Sequence, residues 1–197
     1  DIYLTANAKE NKLFLNKGNF KFEDITASAG VSGTKAWSTG VTMVDINGDG
    51  FLDIYVCNSG DVNGDNKQNE LFINSGTKDS NGKIIFTEQA EKYGLADQGY
   101  STHASFFDFD KDGDLDAYIL NNSYQAIGSF NLKKNERPKR DSEGGDKLME
   151  NVNGVFKDVS EKAGIYGSVI GFGLGVTVGD INNDGWDDIY VSNDFFE

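Results

Sequence analysis

One nine-residue pattern of oxygen-bearing side chains occurs three times in this chain of 197 residues. It reads Asp-x-Asx-x-Asp-Gly-x-x-Asp and occupies residues 45–53, 108–116 and 180–188. Side-chain oxygens stand at positions 1, 3, 5 and 9, and the glycine at position 6 permits a sharp turn. Alternate residues of a tight loop can direct their oxygens to one centre, and hard cations such as calcium prefer oxygen ligands. The spacing therefore predicts three calcium-binding loops.

Positions 1, 3, 5, 7 and 9 of each loop supply the predicted ligands. Position 7 varies in residue type, so we expect it to coordinate through its backbone carbonyl and to leave its side chain free. We expect about three Ca²⁺ ions, one in each loop, with a structural role. The predicted ligands are Asp45, Asn47, Asp49, Phe51 and Asp53 in the first loop, Asp108, Asp110, Asp112, Asp114 and Asp116 in the second, and Asp180, Asn182, Asp184, Trp186 and Asp188 in the third.

Two other interpretations of the loops need to be considered. An EF-hand requires glutamate at position 12 of its loop, but position 12 here is Val56, Ile119 or Val191, each inside a β-like run. Three acidic Asp/Asn/Gly turns without any metal are the second alternative. The recurrence of the pattern in the same register three times favours cation binding.

The composition restricts the class of partner. The net charge of −14 argues against nucleic acid and anionic membrane surfaces, and no run of 18 apolar residues predicts a membrane span. Cys57 is the only cysteine, so no disulfide can form within the chain, and His103 is the only histidine. We interpret both as structural strand residues, because neither has partners for a zinc site.

Four short β-like segments recur in one order around the loops. Residues 53–57 leave the first loop with Ile54 and Val56 on one face and Tyr55 and Cys57 on the other. Three more segments follow in each repeat. The first is a short apolar strand, the second runs from a phenylalanine to a Gly-apolar pair, and the third is a strand that enters the next loop. Four short strands per repeat are typical of a β-propeller blade. We therefore predict an all-β fold of four-stranded antiparallel sheets, about three blades of a larger propeller, in units 1–53, 53–116 and 116–188.

Two variable segments carry further hypotheses. Residues 61–66 alternate oxygen-bearing side chains at Asp61, Asn63 and Asp65, but they lack glycine at position 6. They are either a further cation loop or a solvated Asx turn. Residues 133–140 form the only basic run, which is either a contact for an acidic partner such as an anionic glycan or a solvated loop.

The loops and strands resemble the FG-GAP/VCBS repeats of integrin α-like propellers. A more specific pattern, Phe-x-Asp-(Ile/Val)-(Thr/Ser)…Ala-Gly-(Val/Ile), stands at 22–31 and 156–165 and resembles the ASPIC/UnbV, cartilage acidic protein-like group. The middle unit departs from it, because residues 86–90 read Phe-Thr-Glu-Gln-Ala. The resemblance implies an extracellular or cell-surface, secreted β-propeller with Ca²⁺ in each blade loop, usually an interaction module.

Three hypotheses for the function follow. The first is a non-catalytic binding or adhesion module with a protein or glycan ligand. The second is the propeller of a secreted polysaccharide lyase, although the chain has one histidine, one cysteine and no recognisable catalytic set. The third is a glycan-binding lectin. Because Asp1 aligns with position 9 of a loop and three blades do not close a ring, we expect the remaining propeller blades or self-association to complete the fold.

Overall fold

The computed structural model describes residues 1–60, 67–130 and 136–194, and the strands within these ranges form four antiparallel sheets. The predicted all-β fold of four-stranded antiparallel sheets is confirmed in sheets 2 and 3. Sheet 1 contains β1 (Ile2–Leu4), β2 (Lys12–Asn16) and β3 (Phe22–Asp24), and sheet 2 contains β4 (Ser38–Val44), β5 (Asp53–Asn58), β6 (Glu70–Lys78) and β7 (Ile84–Glu88). Sheet 3 contains β8 (Ser101–Phe107), β9 (Asp116–Asn121), β10 (Lys147–Val152) and β11 (Val155–Asp158). Sheet 4 contains β12 (Gly173–Gly179) and β13 (Asp188–Asn193).

Each nine-residue loop joins the first two strands of a sheet. The first loop connects β4 to β5, the second connects β8 to β9, and the third connects β12 to β13. The sheets therefore begin one strand earlier than the Asp-to-Asp units 1–53, 53–116 and 116–188. When the sheets are aligned on their loops, the three strands of sheet 1 correspond to the second, third and fourth strands of sheets 2 and 3. The two strands of sheet 4 correspond to the first and second.

The segment between the fourth strand and the next sheet contains a one-turn helix. Helix α1 (Thr26–Ala29) follows β3 and helix α2 (Ala90–Tyr93) follows β7. Each helix ends at a glycine in the left-handed conformation, Gly30 with φ 73° and Gly94 with φ 74°. The sequence pattern from phenylalanine to a Gly-apolar pair is thus a strand, a helical turn and a glycine cap.

Hydrophobic cores lie between successive sheets. Ile54 and Val56 of β5 pack with Tyr3, Leu13 and Val31 between sheets 1 and 2. Their neighbours along the strand point the other way: Tyr55 and Cys57 pack with residues of sheet 3. The predicted alternation is therefore confirmed, and Cys57 is a buried core residue as expected.

The first strands of neighbouring sheets lie close together, and threonine hydroxyls connect them. Thr42 Oγ1 donates to the Ala104 carbonyl at 2.6 Å, and Thr102 Oγ1 donates to the Gly173 carbonyl at 3.0 Å. At Gly40 a Cβ atom would lie 2.4 Å from the Thr102 carbonyl oxygen and 2.9 Å from His103 Nδ1. His103 is therefore part of this strand contact, and burial lowers its pKa. Both observations agree with a structural role for the histidine.

Candidate metal centre

The three loops share one backbone conformation. Position 4 adopts a left-handed conformation in each, at Gly48 (φ 71°), Lys111 (φ 63°) and Asn183 (φ 61°), and so does the glycine at position 6. The nine-residue pattern leaves position 4 unspecified, and the sequence did not predict its conformation. Glycine and asparagine are the residues that most readily adopt this conformation. Gly48 and Asn183 are therefore residue types that could have indicated a left-handed conformation at position 4.

The carboxylate at position 1 organises each loop. In the first loop Asp45 accepts hydrogen bonds from the backbone N–H groups of Asp49 at 3.0 Å and Gly50 at 2.8 Å, and Asp49 accepts one from Phe51 N–H at 2.9 Å. The corresponding bonds recur in the second and third loops. The predicted side chains at positions 1 and 5 are therefore held in the same arrangement three times.

The aspartate at position 9 links the first and second loops to their sheets. Asp53 accepts from Ile46 N–H at 3.1 Å inside the loop and from Asn74 N–H of β6 at 2.7 Å. Asp116 makes the equivalent pair with Phe109 N–H at 3.0 Å and Asn151 N–H at 2.8 Å. Burial raises the pKa of Asp116 to about 6, although these two hydrogen bonds oppose the shift. Position 9 of the second loop therefore places a carboxylate where burial disfavours its charged form.

The second loop concentrates the most negative charge. Carboxylate oxygens of Asp108, Asp110 and Asp116 lie within 4.8 Å of one another. One carboxylate oxygen of Asp114 is buried and has no hydrogen-bond partner among the described residues. Burial, followed by the charges of Asp112, Asp110 and Asp108, raises the pKa of Asp114. Clustered carboxylates with an unpaired buried oxygen are a donor set that a hard divalent cation would neutralise, so these residues fit such an ion.

Position 7 differs among the loops. Phe51 and Trp186 expose 46% and 52% of their surface and have no side-chain oxygen, as expected for residues that would contribute only a backbone carbonyl. Asp114 departs from this expectation, because its side chain lies among the other carboxylates of its loop. At position 3 the amides of Asn47 and Asn182 donate to the position 5 carboxylates, each at 3.0 Å.

The second and third loops are in direct contact. The Lys111 ammonium of the second loop lies 4.2 Å from the centre of the Trp186 ring in the third. The pKa of Asp184 is lowered mainly by the hydrogen bond from Trp186 N–H, then by the Asn182 amide, with a smaller contribution from Lys111. The first and second loops are instead separated by an open cleft.

The structure describes part of the second variable segment. Asp61, Asn63 and Asp65 lie outside the described residues, and so do residues 133–135 of the basic run. In the described part of that run, Lys139 pairs with Glu136 at 2.8 Å, and Arg140 donates to the carbonyls of Ile165 and Asp146 at 2.7 and 2.9 Å. Arg140 therefore holds the 136–146 segment against its own sheet.

Comparisons with known proteins agree with this arrangement of loops. Residues 1–56 match the family model of the FG-GAP-like repeat, and residues 172–197 match that of the FG-GAP repeat. These matches confirm the resemblance noted in the sequence, and the first and third loops lie within the matched residues.

The chain is also similar to curated proteins over almost its full length. Over 194 residues the chain is 31% identical to cartilage acidic protein 1 of Xenopus tropicalis, and 30% identical to the proteins of that name from Mus musculus and Homo sapiens. These alignments cover 98% of the chain and 26% of each relative, so the chain spans about a quarter of their length. Within the described ranges, no helix is long and apolar enough to cross a membrane.

Proposed function

We propose that this FG-GAP segment is a calcium-stabilised β-propeller module of an extracellular protein, and that it acts in binding or adhesion rather than in catalysis. The observation that carries the proposal is the loop framework repeated at 45–53, 108–116 and 180–188, together with the clustered carboxylates of the second loop. The similarity to cartilage acidic protein 1 supports the extracellular assignment. The ligand is a protein or a glycan.

In this proposal, bound Ca²⁺ neutralises the carboxylates at positions 1, 5 and 9 of each loop, with further oxygens from positions 3 and 7. The protein's own contribution is to hold those oxygens in place. Position 1 is fixed by backbone N–H groups of the loop in all three loops, and position 9 is fixed by the third strand in sheets 2 and 3. Calcium binding and folding of the loops are therefore coupled. The millimolar calcium concentration outside cells, roughly 10⁻³ M, suits sites of modest affinity.

We further propose that additional propeller sheets, or a second copy of the chain, cover sheets 1 and 4. Side chains there are exposed where their counterparts in sheet 2 are buried. Ile2 exposes 42% of its surface against 0% for Ile54, and Tyr190 exposes 60% against 0% for Tyr55. Sedimentation at micromolar concentration tests this for the isolated chain, which we expect to self-associate. A concentration-independent monomer would count against it.

Isothermal titration of the metal-free protein with Ca²⁺ tests the proposed metal sites. We expect about three ions per chain, and one fewer when Asp108 and Asp110 are both replaced by asparagine. The control is Asp79→Asn, because Asp79 organises an exposed turn by accepting from Asn81 and Lys83 N–H groups outside the three loops. The control should retain the full stoichiometry. Absence of binding at millimolar Ca²⁺ would overturn the proposal.

A further inference from the structure

Asn-Gly pairs occur at residues 47–48, 63–64, 81–82 and 153–154. Asparagine deamidates most readily before glycine, because the backbone nitrogen of the next residue must attack the side-chain amide carbon and glycine has no Cβ in the way. The pair at 63–64 lies outside the described residues. The other three pairs differ in the hydrogen bonds that their reacting atoms make.

The attacking nitrogen is unpaired in one of these three pairs. Gly82 N–H donates to the Asp79 carbonyl at 2.9 Å, and Gly154 N–H donates to Asn151 Oδ1 at 2.8 Å. Gly48 N–H has no acceptor among the described residues. Attack by the nitrogen of Gly82 or Gly154 must therefore break a hydrogen bond, whereas attack by the nitrogen of Gly48 breaks none.

The side-chain carbonyl of Asn47 is also activated. Its Oδ1 accepts a hydrogen bond from Asp49 N–H at 3.1 Å, and the same N–H is held by Asp45 at 3.0 Å. Negative charge develops on Oδ1 when a nucleophile adds to Cγ, so a fixed donor at this oxygen lowers the barrier. Within the described ranges no donor bonds Oδ1 of Asn81 or Asn153.

The third loop provides a matched comparison. Oδ1 of Asn182 accepts from Asp184 N–H at 3.0 Å, as Oδ1 of Asn47 does from its own position 5. The next residue, Asn183, has φ 61° where Gly48 has φ 71°. The two sites therefore share one backbone conformation and one carbonyl donor, and they differ in whether the attacking residue carries a side chain.

We propose that Asn47 is a deamidation site at which the backbone nitrogen of Gly48 is the nucleophile. This nitrogen bonds to Cγ of Asn47, the Cγ–Nδ2 bond breaks, and Nδ2 leaves as ammonia with the proton of Gly48 N–H. Water then opens the resulting succinimide at either carbonyl, which gives aspartate or isoaspartate at residue 47. Aspartate adds a negative charge at position 3 of the first loop, and isoaspartate also lengthens the backbone between positions 3 and 4.

Peptide mapping by mass spectrometry tests the site after incubation of the chain in mildly alkaline buffer with EDTA. Each converted residue is assigned by fragmentation and by the mass gained when –NH₂ becomes –OH. We expect conversion at Asn47 to be about tenfold faster than at Asn81 or Asn153, which lack the carbonyl donor and have a paired nucleophile. In urea the three rates should converge, because these hydrogen bonds are lost. No conversion at Asn47, equal or faster conversion at Asn81 or Asn153, or an unchanged preference in urea would overturn the inference.

Reciprocal variants exchange the attacking residues of the first and third loops. Gly48→Asn should suppress conversion at Asn47, and no atom lies within 4 Å of a Cβ added at Gly48. Asn183→Gly should produce fast conversion at Asn182, and glycine adopts the left-handed conformation of this position without strain. If Asn182 in the second variant reacts no faster than in the parent, the assigned nucleophile is wrong.

The same incubation with Ca²⁺ separates this site from the proposed function, on which only the calcium dependence rests. An ion held by Oδ1 of Asn47 would keep Cγ from approaching the nitrogen of Gly48. Conversion at Asn47 should therefore fall about 100-fold when Ca²⁺ is at 100 times its dissociation constant, while conversion at Asn81 is unchanged. Equal rates at Asn47 with Ca²⁺ and with EDTA would support the deamidation site and count against a calcium ion at position 3.

Discussion

The Asp116 carboxylate, at the last position of the second loop, accepts a hydrogen bond from the backbone N–H of Asn151 in β10 at 2.8 Å. Its other oxygen accepts from Phe109 N–H at 3.0 Å. The same residue that is predicted to coordinate a cation therefore also ties the loop to the third strand of its sheet. Asp53 does the same in sheet 2.

This double role predicts different behaviour for two aspartates of one loop. Asp116→Ala leaves two backbone N–H groups without their acceptor, so it should lower the free energy of unfolding by about 1–3 kcal/mol even in EDTA. Asp110→Ala removes an exposed carboxylate that, among the described residues, accepts one bond, from Asp112 N–H at 3.3 Å. This change should alter the free energy of unfolding by less than about 0.5 kcal/mol in EDTA. Urea unfolding in EDTA measures both. Equal losses would contradict the structural role of position 9.

The middle repeat departs from the family pattern, and the structure explains how it compensates. In sheet 3 the Ser160 hydroxyl accepts from Leu148 N–H at 2.9 Å, while Asp158 accepts from Ser160 N–H at 2.9 Å. In sheet 2 the serine is replaced by Ala90, which has no hydroxyl. The longer Glu88 side chain accepts from both Leu71 N–H at 3.1 Å and Ala90 N–H at 2.9 Å.

We therefore predict that Glu88→Asp destabilises the protein and that a second change rescues it. The shorter carboxylate still reaches Ala90 N–H but leaves Leu71 N–H unpaired, at a cost of about 1–2 kcal/mol. Glu88→Asp combined with Ala90→Ser recreates the arrangement of sheet 3 and should recover most of the loss. Thermal and urea unfolding of the single and double variants measure this. If the double variant is no more stable than Glu88→Asp, the compensation is not real.

A buried acid provides a pH-dependent prediction outside the loops. Burial raises the pKa of Asp146 to about 6, although it accepts hydrogen bonds from Asn121 N–H and the Tyr118 hydroxyl, each at 2.9 Å. The corresponding residue in sheet 2 is Asn69, which accepts from Asn58 N–H at 2.8 Å. Because the folded pKa is above the unfolded value, the folded protein takes up a proton between pH 4 and 6 that the unfolded chain does not.

Stability contributed by this proton is present below about pH 4 and is lost as the pH rises through about 6. Asp146→Asn removes the titration, so the variant should gain stability relative to the parent as the pH rises from 4 to 7. The gain should be on the order of 3 kcal/mol at most. Urea unfolding at a series of pH values measures it, with the exposed Glu161→Gln as control. Parallel pH profiles for Asp146→Asn and the parent would contradict the prediction.

The features that the sequence predicted correctly depend on local chemistry. Alternation in residues 53–57 is a property of one strand, and it correctly assigned Ile54 and Tyr55 to different cores. The order of strands around each loop followed from short recurring motifs. These signals are visible because the residues involved are close together in the chain.

The features that the sequence did not predict depend on contacts between distant segments. The second partner of Asp116 is Asn151, which the β9–β10 pairing brings beside it. The contact of Lys111 with Trp186 exists only because sheets 3 and 4 pack side by side. In the sequence, Glu88 is only a departure from the family pattern. The pairing of β6 with β7 shows that it lies beside Leu71 N–H, which it accepts from. In each case the residue type was visible, but its partner was set by strand register.

Thermal unfolding with millimolar Ca²⁺ and with excess EDTA, at matched ionic strength, distinguishes calcium-stabilised loops from acidic turns without metal. One site at 100 times its dissociation constant contributes roughly 2.7 kcal/mol, so three occupied loops should raise the melting temperature by many degrees. We expect the melting temperature to drop by many degrees in EDTA and to be restored by excess Ca²⁺. The same melting temperature in both conditions would mean that the loops at 45–53, 108–116 and 180–188 are acidic turns and that calcium does not stabilise the fold.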